Sequence, residues 1–275
     1  MTLTKGQYQI GDIVFGAGTN IIVTNFQAQS YDVNAQDYQI SRSDETRFGF
    51  DTFKPTTISM NLEVIYNWLL DPFKNTIPNF WADKPTVSDL ATEWRANDIR
   101  NSWGAIKPLF FCGRDNINKM VFGRPGQFSA EKVSHNSTVV KCVAEFRRAD
   151  TLVYAVDESA KALTGSTNVI RSVGDSDSWC RIIIPGPATN PAIQIGNNTI
   201  QVNTTVASGK LLEINSYPWS RRIVNSDGLN LRNSLSSSSI YLDKLKLPMG
   251  TSTARIVSGA TSATLYWRDA WSAID

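Results

Sequence analysis

The sequence predicts a mainly β protein with two domains, and three observations support this prediction. Residues 55–66 alternate apolar and polar side chains, as a half-buried strand does. Residues 178–275 contain short apolar runs with turn residues about every 8–12 positions, which is typical of antiparallel sandwiches and barrels. Between these regions, residues 157–178 are rich in Ser, Thr, Asn, Asp and Gly. We therefore expect an N-terminal β domain over 1–157 and, after a linker over 158–177, a C-terminal antiparallel β-sandwich over 178–275.

The strongest strand signal lies in the N-terminal domain. Polar residues Ser59, Asn61 and Glu63 separate five apolar residues at every second position. These apolar residues are Ile58, Met60, Leu62, Val64 and Tyr66. Because side chains alternate between the two faces of a strand, we expect the apolar set to face a core together. Three further strands are predicted in this domain: Leu109–Cys112, Met120–Phe122 and Val139–Phe146.

One helix is predicted in the N-terminal domain, from Ser88 to about Ile99. Thr86 and Asp89 have the spacing of a capping box, in which the hydroxyl accepts an orphan amide and the carboxylate favours the positive end of the helix. Leu90 and Trp94 then fall on one helical face. We expect no other long helix in the chain.

The C-terminal domain is predicted to contain seven or eight strands, four of them in two hairpins. The first hairpin joins Pro191–Ile195 to Thr199–Val202 across Gly196-Asn197-Asn198, residues that tolerate the positive φ of a tight turn. The second joins Arg222–Val224 to Leu229–Leu231. The remaining strands are Lys210–Ile214, Tyr241–Leu247, Ala254–Ser258 and Ala263–Trp267.

Charge and hydropathy exclude several classes of protein. The 27 Lys and Arg residues nearly balance the 25 Asp and Glu residues, so the net charge is +2 and we expect no specific nucleic-acid binding. No run approaches the roughly 20 apolar residues of a membrane helix, and the polar start predicts no signal peptide. Three widely spaced cysteines, Cys112, Cys142 and Cys180, match neither a disulfide framework nor a zinc pattern.

Residues able to carry catalysis are scarce. A Ser-His-Asp triad would have to use the single histidine, His135, which lies in a polar stretch typical of an exposed loop. The acidic clusters Asp44-Glu45, Asp157-Glu158 and Asp175-Ser176-Asp177 are expected to be solvated turn acids rather than a glycosidase pair. Gly16-Ala17-Gly18 lacks the third glycine of a dinucleotide fingerprint. The sequence therefore predicts no enzyme, no catalytic residue, no cofactor and no metal site.

Eight tryptophans are unusual for this length. Three of them follow strand or helix patterns and are expected in cores: Trp68, Trp94 and Trp179. Trp219, Trp267 and Trp271 lie near turns and the C-terminus, where a flat ring can anchor an interface or stack on a sugar. Partial burial against their own domain is the alternative interpretation. These three residues are the candidate interface.

Several short segments together resemble one phage family. In the N-terminal half they are Arg42, Gly49-Phe50-Asp51, Gly123-Arg124-Pro125 and residues 146–154, and in the C-terminal half Pro191-Ala192-Ile193, Gly209–Ile214, Leu247–Gly250 and Tyr266–Trp271. They resemble the distal tail proteins (Dit), or minor tail proteins, of long-tailed, non-contractile bacteriophages of actinobacteria. Ser43-Asp44-Glu45 departs from the Asp-Gly that the family often has there.

The resemblance implies a structural virion protein, made in the host cytoplasm, at the tip of a phage tail. Members of this family form a hexameric ring, which the N-terminal domain closes, and carry a galectin-like antiparallel β-sandwich as the C-terminal domain. The expected partners are the tail tube protein, the tape measure protein, the tail hub and other minor tail proteins.

A second hypothesis treats the C-terminal sandwich as a carbohydrate-binding module that acts in adhesion to the host surface. Sandwiches host both roles, so fold class does not separate the two hypotheses. The particle mass does separate them, because the tail-tip hypothesis predicts six copies in a ring and the carbohydrate-binding hypothesis predicts a monomer that binds sugar.

Overall fold

The computed structural model of the protein describes residues 2–28, 31–39, 41, 44–65, 84–132 and 138–274. The chain divides into two compact units, residues 1–153 with 273–275, and residues 154–272. Both units consist mainly of strands in antiparallel sheets, which confirms the predicted fold class.

Within the described part of the first unit, the chain forms eleven strands and two helices. The strands are β1 (Gln7–Ile10), β2 (Ile13–Gly16), β3 (Ile21–Ala28), β4 (Asp32–Asn34), β5 (Tyr38–Gln39), β6 (Thr46–Arg47), β7 (Thr52–Lys54), β8 (Thr57–Ile65), β9 (Lys107–Cys112), β10 (Asn118–Lys132) and β11 (Val139–Arg148). The helices are α1 (Val87–Arg95) and α2 (Asn97–Arg100).

The main sheet of the first unit runs in the order β2-β1-β9-β10-β11-β8-β3. Strand β8 is paired on both sides, with Leu62 opposite Cys142 of β11 and opposite Val23 of β3. The predicted apolar face of β8 is confirmed, and its described members are at most 1% exposed: Ile58, Met60, Leu62 and Val64. Tyr66 lies outside the described residues.

Strand β10 is much longer than the predicted Met120–Phe122, because a bulge carries it through a Gly-Arg-Pro-Gly segment. The register against β11 shifts between Pro125 and Phe128, and such a bulge accommodates a proline that lacks an amide donor. Gly123 lies so close to β11 that an added Cβ would be 2.0 Å from the Arg147 carbonyl oxygen. The close strand approach therefore requires glycine here.

Helix α1 begins as predicted and ends earlier. The Thr86 hydroxyl accepts the Asp89 amide, and the Asp89 carboxylate accepts the Thr86 amide at 2.7 Å, so the capping box is confirmed. Ala96 adopts a left-handed conformation, with φ and ψ both 47°, and ends the helix. The single helix expected over 88–99 is therefore split into α1 and α2, a break that the alanine at position 96 does not signal.

Trp94 anchors α1 to the main sheet. Its indole Nε1 donates to the Glu145 carbonyl oxygen of β11 at 2.9 Å, and its side chain is 1% exposed, so its predicted core position is confirmed. The Arg100 guanidinium donates to the carbonyl oxygens of Trp94 (2.9 Å) and Pro125 (3.0 Å). These bonds join the turn after α1 to β10.

From the unit boundary onward the chain forms fourteen further strands and one short 3₁₀-helix. They are β12 (Val153–Ala155), β13 (Ser159–Leu163), β14 (Ser166–Arg171), β15 (Ser178–Pro185), β16 (Ala188–Thr189), β17 (Ala192–Ile195), β18 (Asn198–Gln201), β19 (Thr205–Val206), β20 (Leu211–Asn215), β21 (Arg222–Asn225), η1 (Arg232–Ser234), β22 (Lys246–Leu247), β23 (Gly250–Ser258), β24 (Ala263–Trp267) and β25 (Ala270–Trp271).

The second unit contains a β-sandwich. One sheet has the order β13-β24-β15-β20-β21, and the other has the order β14-β23-β17-β18. Alternate residues of both sheets enclose one apolar core, to which Ile182 contributes from β15 and Ile193 from β17. The first predicted hairpin is present as β17 and β18, with Gly196 at a φ of 57° in the turn.

Residues 158–177, which the sequence suggested as a linker, contain two paired strands. Strand β13 pairs with β24, and β14 pairs with β23. Leu163 and Val169 from these strands are buried in the sandwich core. A strand with one solvent-facing side needs few apolar residues, which is why the polar composition of this segment resembles that of a linker.

Two expected strands of the second unit are shorter in the structure than the sequence predicts. Within 241–247 only β22 pairs in a sheet, because the Tyr241 carbonyl accepts the Lys244 amide and turns the chain. The second predicted hairpin is present in a short form: Asn230 forms an antiparallel bridge with Val224, and the Leu231 amide donates to the Ile223 carbonyl oxygen at 2.8 Å.

We expect Leu62→Asp to prevent folding of the first unit, because it buries an unpaired carboxylate in a strand that is paired on both sides. Asn61→Asp is the matched control, since the adjacent side chain is exposed. Solubility and circular dichroism melting measure the effect. A soluble Leu62→Asp protein with wild-type melting would contradict the assignment of this face to the core.

We expect Thr86→Ala to lower the free energy of unfolding by roughly 1 kcal/mol, because α1 loses its N-cap. Hydrogen bonds from the Thr86 amide, and then from its hydroxyl, lower the pKa of Asp89. The carboxylate therefore stabilises the cap above the ordinary carboxyl pKa, and this contribution is lost as pH falls through the lowered value.

Urea unfolding of Thr86→Ala should accordingly show a larger loss at neutral pH than in acid below the carboxyl pKa. Ser88→Ala, an exposed change in the same helical turn, is the control and should show no such pH dependence. Equal losses for both variants would mean that the capping box does not stabilise α1.

Candidate interaction surfaces

Trp267, one of the three candidate interface residues, lies in the core of the sandwich. It ends β24 on the same side as Ala263 and Leu265 and is 7% exposed. Tyr266 has the opposite orientation, and the Arg181 guanidinium lies over its ring, 4.4 Å from the centroid. One ring of this pair therefore packs inside while its neighbour lies on the outer face of the sheet.

Trp271 is also buried, at 8% exposure, in the short strand β25. The chain after it is held by Asp175, whose carboxylate accepts the Ser272 amide at 2.6 Å and the Ser272 hydroxyl at 3.0 Å. Just before it, Asp269 pairs with the fully buried Arg171 guanidinium at 3.2 Å. The closing segment is thus an integral part of the second unit.

Trp219 is half-buried in a cluster of aromatic and charged side chains. Its ring stacks on Tyr217, with centroids 4.9 Å apart, and meets Tyr154 edge-on. Glu158 accepts the Tyr217 hydroxyl at 3.2 Å and the Arg181 guanidinium at 2.6 Å. Burial, and then the Glu158 charge, raise the pKa of Tyr217. Glu158 is therefore an ion-pair residue and not the solvated turn acid that its sequence context suggested.

A ribbon of two strands extends the β3–β8 pair in the first unit, and the sequence patterns did not reveal it. Strand β4 pairs with β7, and β5 pairs with β6, in two short antiparallel sheets between β3 and β8 in the sequence. We call residues 31–54 the arm. Each described residue of the arm is exposed except Asn34, which is half-buried. The large apolar side chains that it exposes are Tyr31, Val33, Tyr38, Phe48, Phe50 and Phe53.

Two aspartates join the strands of the arm. The Asp51 carboxylate accepts a hydrogen bond from the Gln36 amide at 3.3 Å. The Asp37 carboxylate accepts one from the Gly49 amide at the same distance. An added Cβ at Gly49 would lie 2.2 Å from the Gln36 carbonyl oxygen, so only glycine fits this close approach. The segment Gly49-Phe50-Asp51, which carries part of the family resemblance, is therefore a structural element of the arm.

A second exposed surface of the first unit surrounds Trp103, which is fully exposed. A recess of about 440 Å³ lies beside it, lined by residues 100–104, Ile106 and Arg124, and we call it the Trp103 recess. The Arg124 guanidinium donates to the carbonyl oxygens of Ala105 (2.5 Å) and Ser102 (2.7 Å). The backbone thus orients the two arginines of the recess, Arg100 and Arg124.

The described residues that were considered for catalysis or metal binding do not lie together in one site. Across the described ranges, no group of three or more His, Cys, Asp or Glu residues could hold a metal ion, and His135 lies outside those ranges. Gly16 and Gly18 have positive φ and form the turn between β2 and β3. Burial raises the pKa of Cys142 to about 11 and that of Cys180 to about 12, so both thiols are protonated at neutral pH.

None of the helices in the described residues has the length and hydrophobicity needed to span a membrane. No protein-family model matches the sequence. No curated protein sequence matches it either.

Solved structures match nearly the whole chain. The crystal structure of the Dit protein (gp 19.1) of phage SPP1, described as a paradigm of the hub adsorption apparatus in phages that infect Gram-positive bacteria, superimposes with a TM-score of 0.59 and 14% identity. The match covers 91% of this chain and 93% of the SPP1 chain. This chain has the Dit fold.

Chains of the phage P2 baseplate match as well. In the activated conformation with Ca, the TM-score is 0.55 at 9% identity, with 96% of this chain and 97% of the other covered. With Sr, the TM-score is 0.53 at 9% identity, with 96% and 98% covered. The expected resemblance to phage tail-tip proteins is therefore confirmed at the level of the Dit fold, which includes both units.

We expect Trp267→Ala to lower the free energy of unfolding by roughly 3–5 kcal/mol, because it opens a cavity between the two sheets of the sandwich. Trp219→Ala is the comparison. Because the Trp219 ring is only half-buried, its loss should lower the free energy of unfolding by a smaller amount. Thermal and urea denaturation measure both effects. A Trp267→Ala protein as stable as the wild type would show that this ring does not support the core.

Proposed function

We propose that the chain is a structural virion protein that forms a hexameric ring at the distal tip of a phage tail. In this role it joins the tail tube to the tail hub and the receptor-binding apparatus. The observation that carries the proposal is the match to SPP1 Dit, which extends over 91% of this chain and 93% of the other and so includes both units. A shared single sandwich would support much less, because sandwiches serve many functions.

The described residues support a structural rather than a catalytic role. Glu158 pairs with Arg181, and Asp175 holds the closing segment. Carboxylates that look like acid–base candidates in the sequence thus stabilise the fold here. We propose no enzymatic activity and no cofactor, and we propose the tail tube protein, the tape measure protein, the tail hub and other minor tail proteins as partners.

A carbohydrate-binding role for the second unit is the weaker candidate. The outer face of the sandwich does carry Tyr266 and Arg181, groups that sugar sites use. However, Trp267 and Trp271 are buried, so their ring faces are not available to stack on a sugar. The Arg181 charge is already paired with Glu158.

The mass of the purified full-length protein tests the proposed ring. Light scattering after size-exclusion chromatography should give six times the mass of the chain, and negative-stain images should show rings with a central opening. Gold-labelled antibody against the chain should mark the tip of the tail on the phage that encodes it. A monomer at all concentrations, together with no label on the tail, would contradict the proposal.

A further inference from the structure

Packing within the first unit does not bury the large apolar side chains of the arm. A ribbon of two strands is marginally stable in water unless another surface covers it. Here the exposed side chains include Phe48 at 83% and Phe50 at 94% exposure, on either side of Gly49 in a segment where nearly every described residue is exposed. Clusters of exposed aromatic side chains mark surfaces that associate with another molecule.

The charge of the arm indicates what kind of surface it fits. Residues 31–54 contain five Asp and Glu residues and three Arg and Lys residues, which gives a net charge of −2. Asp37 and Asp51 flank the aromatic segment, accept only backbone amides and form no ion pair within the described part of the chain. A matching surface would combine an aromatic group with positive charge.

The Trp103 recess has this combination. Arg100 and Arg124 donate to backbone carbonyl oxygens, and neither forms an ion pair with the other described residues. Within the described part of the chain, their charges are therefore held in position without a paired carboxylate. Trp103 stands beside them with its whole ring exposed, and tryptophan and arginine are the residues that most often dominate interfaces.

We propose that the arm of one copy of this chain docks in the Trp103 recess of a second copy. Phe48 and Phe50 pack against Trp103, while Asp37 and Asp51 face Arg100 and Arg124. This proposal rests on the proposed ring function and names the contact that builds the ring.

The contact is head-to-tail rather than symmetric. Two arms facing one another would bring like charges together, whereas the arm and the recess carry opposite charges. A contact between two different surfaces leaves one free arm and one free recess on every pair, so further copies add until the ring closes. An arm–arm contact would stop at a dimer.

Two full-length variants test the contact from its two sides. Phe48→Ser with Phe50→Ser removes the aromatic part of the arm, and Trp103→Ala removes that of the recess. All three side chains are exposed, so the melting temperature of the separate chains should be unchanged. Tyr241→Ser, which removes an exposed aromatic side chain of the second unit, is the matched control and should assemble as the wild type does.

We expect each variant to weaken self-association by at least roughly 30-fold, which is the loss typical of truncating an interface anchor. A mixture of the two variants should form a heterodimer and nothing larger, because only the intact arm of one variant and the intact recess of the other can meet. Sedimentation velocity measures both results.

Wild-type rings from either variant would overturn the arm–recess contact while leaving the proposed ring function intact. Full assembly by Trp103→Ala together with loss of assembly by the arm variant would show that the arm docks elsewhere. A mixture that remains monomeric would also overturn the contact. A wild-type chain that never assembles would contradict the ring function itself.

Discussion

The antiparallel register between β3 and β8 is the constraint on which the first unit depends. Leu62 lies opposite Val23 in this pair, and the alternation of side chains along β8 places its apolar residues in the core. A slip of one residue would turn that whole set toward solvent. Beyond this pair the chain forms the arm, where Val33 of β4 lies opposite Phe53 of β7. The register of β8 therefore determines which of its residues are buried, whereas both faces of the arm are exposed.

Polar and charged side chains of this protein mainly hold the backbone. Thr86 and Asp89 close the start of α1, Asp37 joins the strands of the arm, and Arg124 donates to two carbonyl oxygens beside the Trp103 recess. Groups used in this way have fixed positions, and their hydrogen bonds replace those that the backbone would otherwise make to water. Such a distribution suits a component whose function is to present surfaces to other copies or other proteins.

The tryptophans show how far a side chain's role depends on its surroundings. The segment near the C-terminus makes Trp267 and Trp271 look like an anchor for a partner, yet both rings pack within the second unit. Trp103, which no pattern singled out, is fully exposed beside two arginines. Burial depends on which surfaces meet after folding, so the abundance of a residue type indicates a capacity to bind and does not locate the binding surface.

The sequence by itself determined the features that rest on short-range geometry. The alternation of residues 58–64, the Thr86 capping box and the Gly196 turn each follow from spacings of a few residues, and the structure contains all three. Tertiary structure alone decided that the supposed linker carries β13 and β14, because Leu163 pairs with Ala263 of β24, one hundred positions along the chain. It also decided that the arm stays uncovered. Local patterns specify which face of a helix or strand is apolar. Long-range pairing decides which of those apolar faces is buried within the chain. An apolar face that stays exposed after folding is available to bind another molecule.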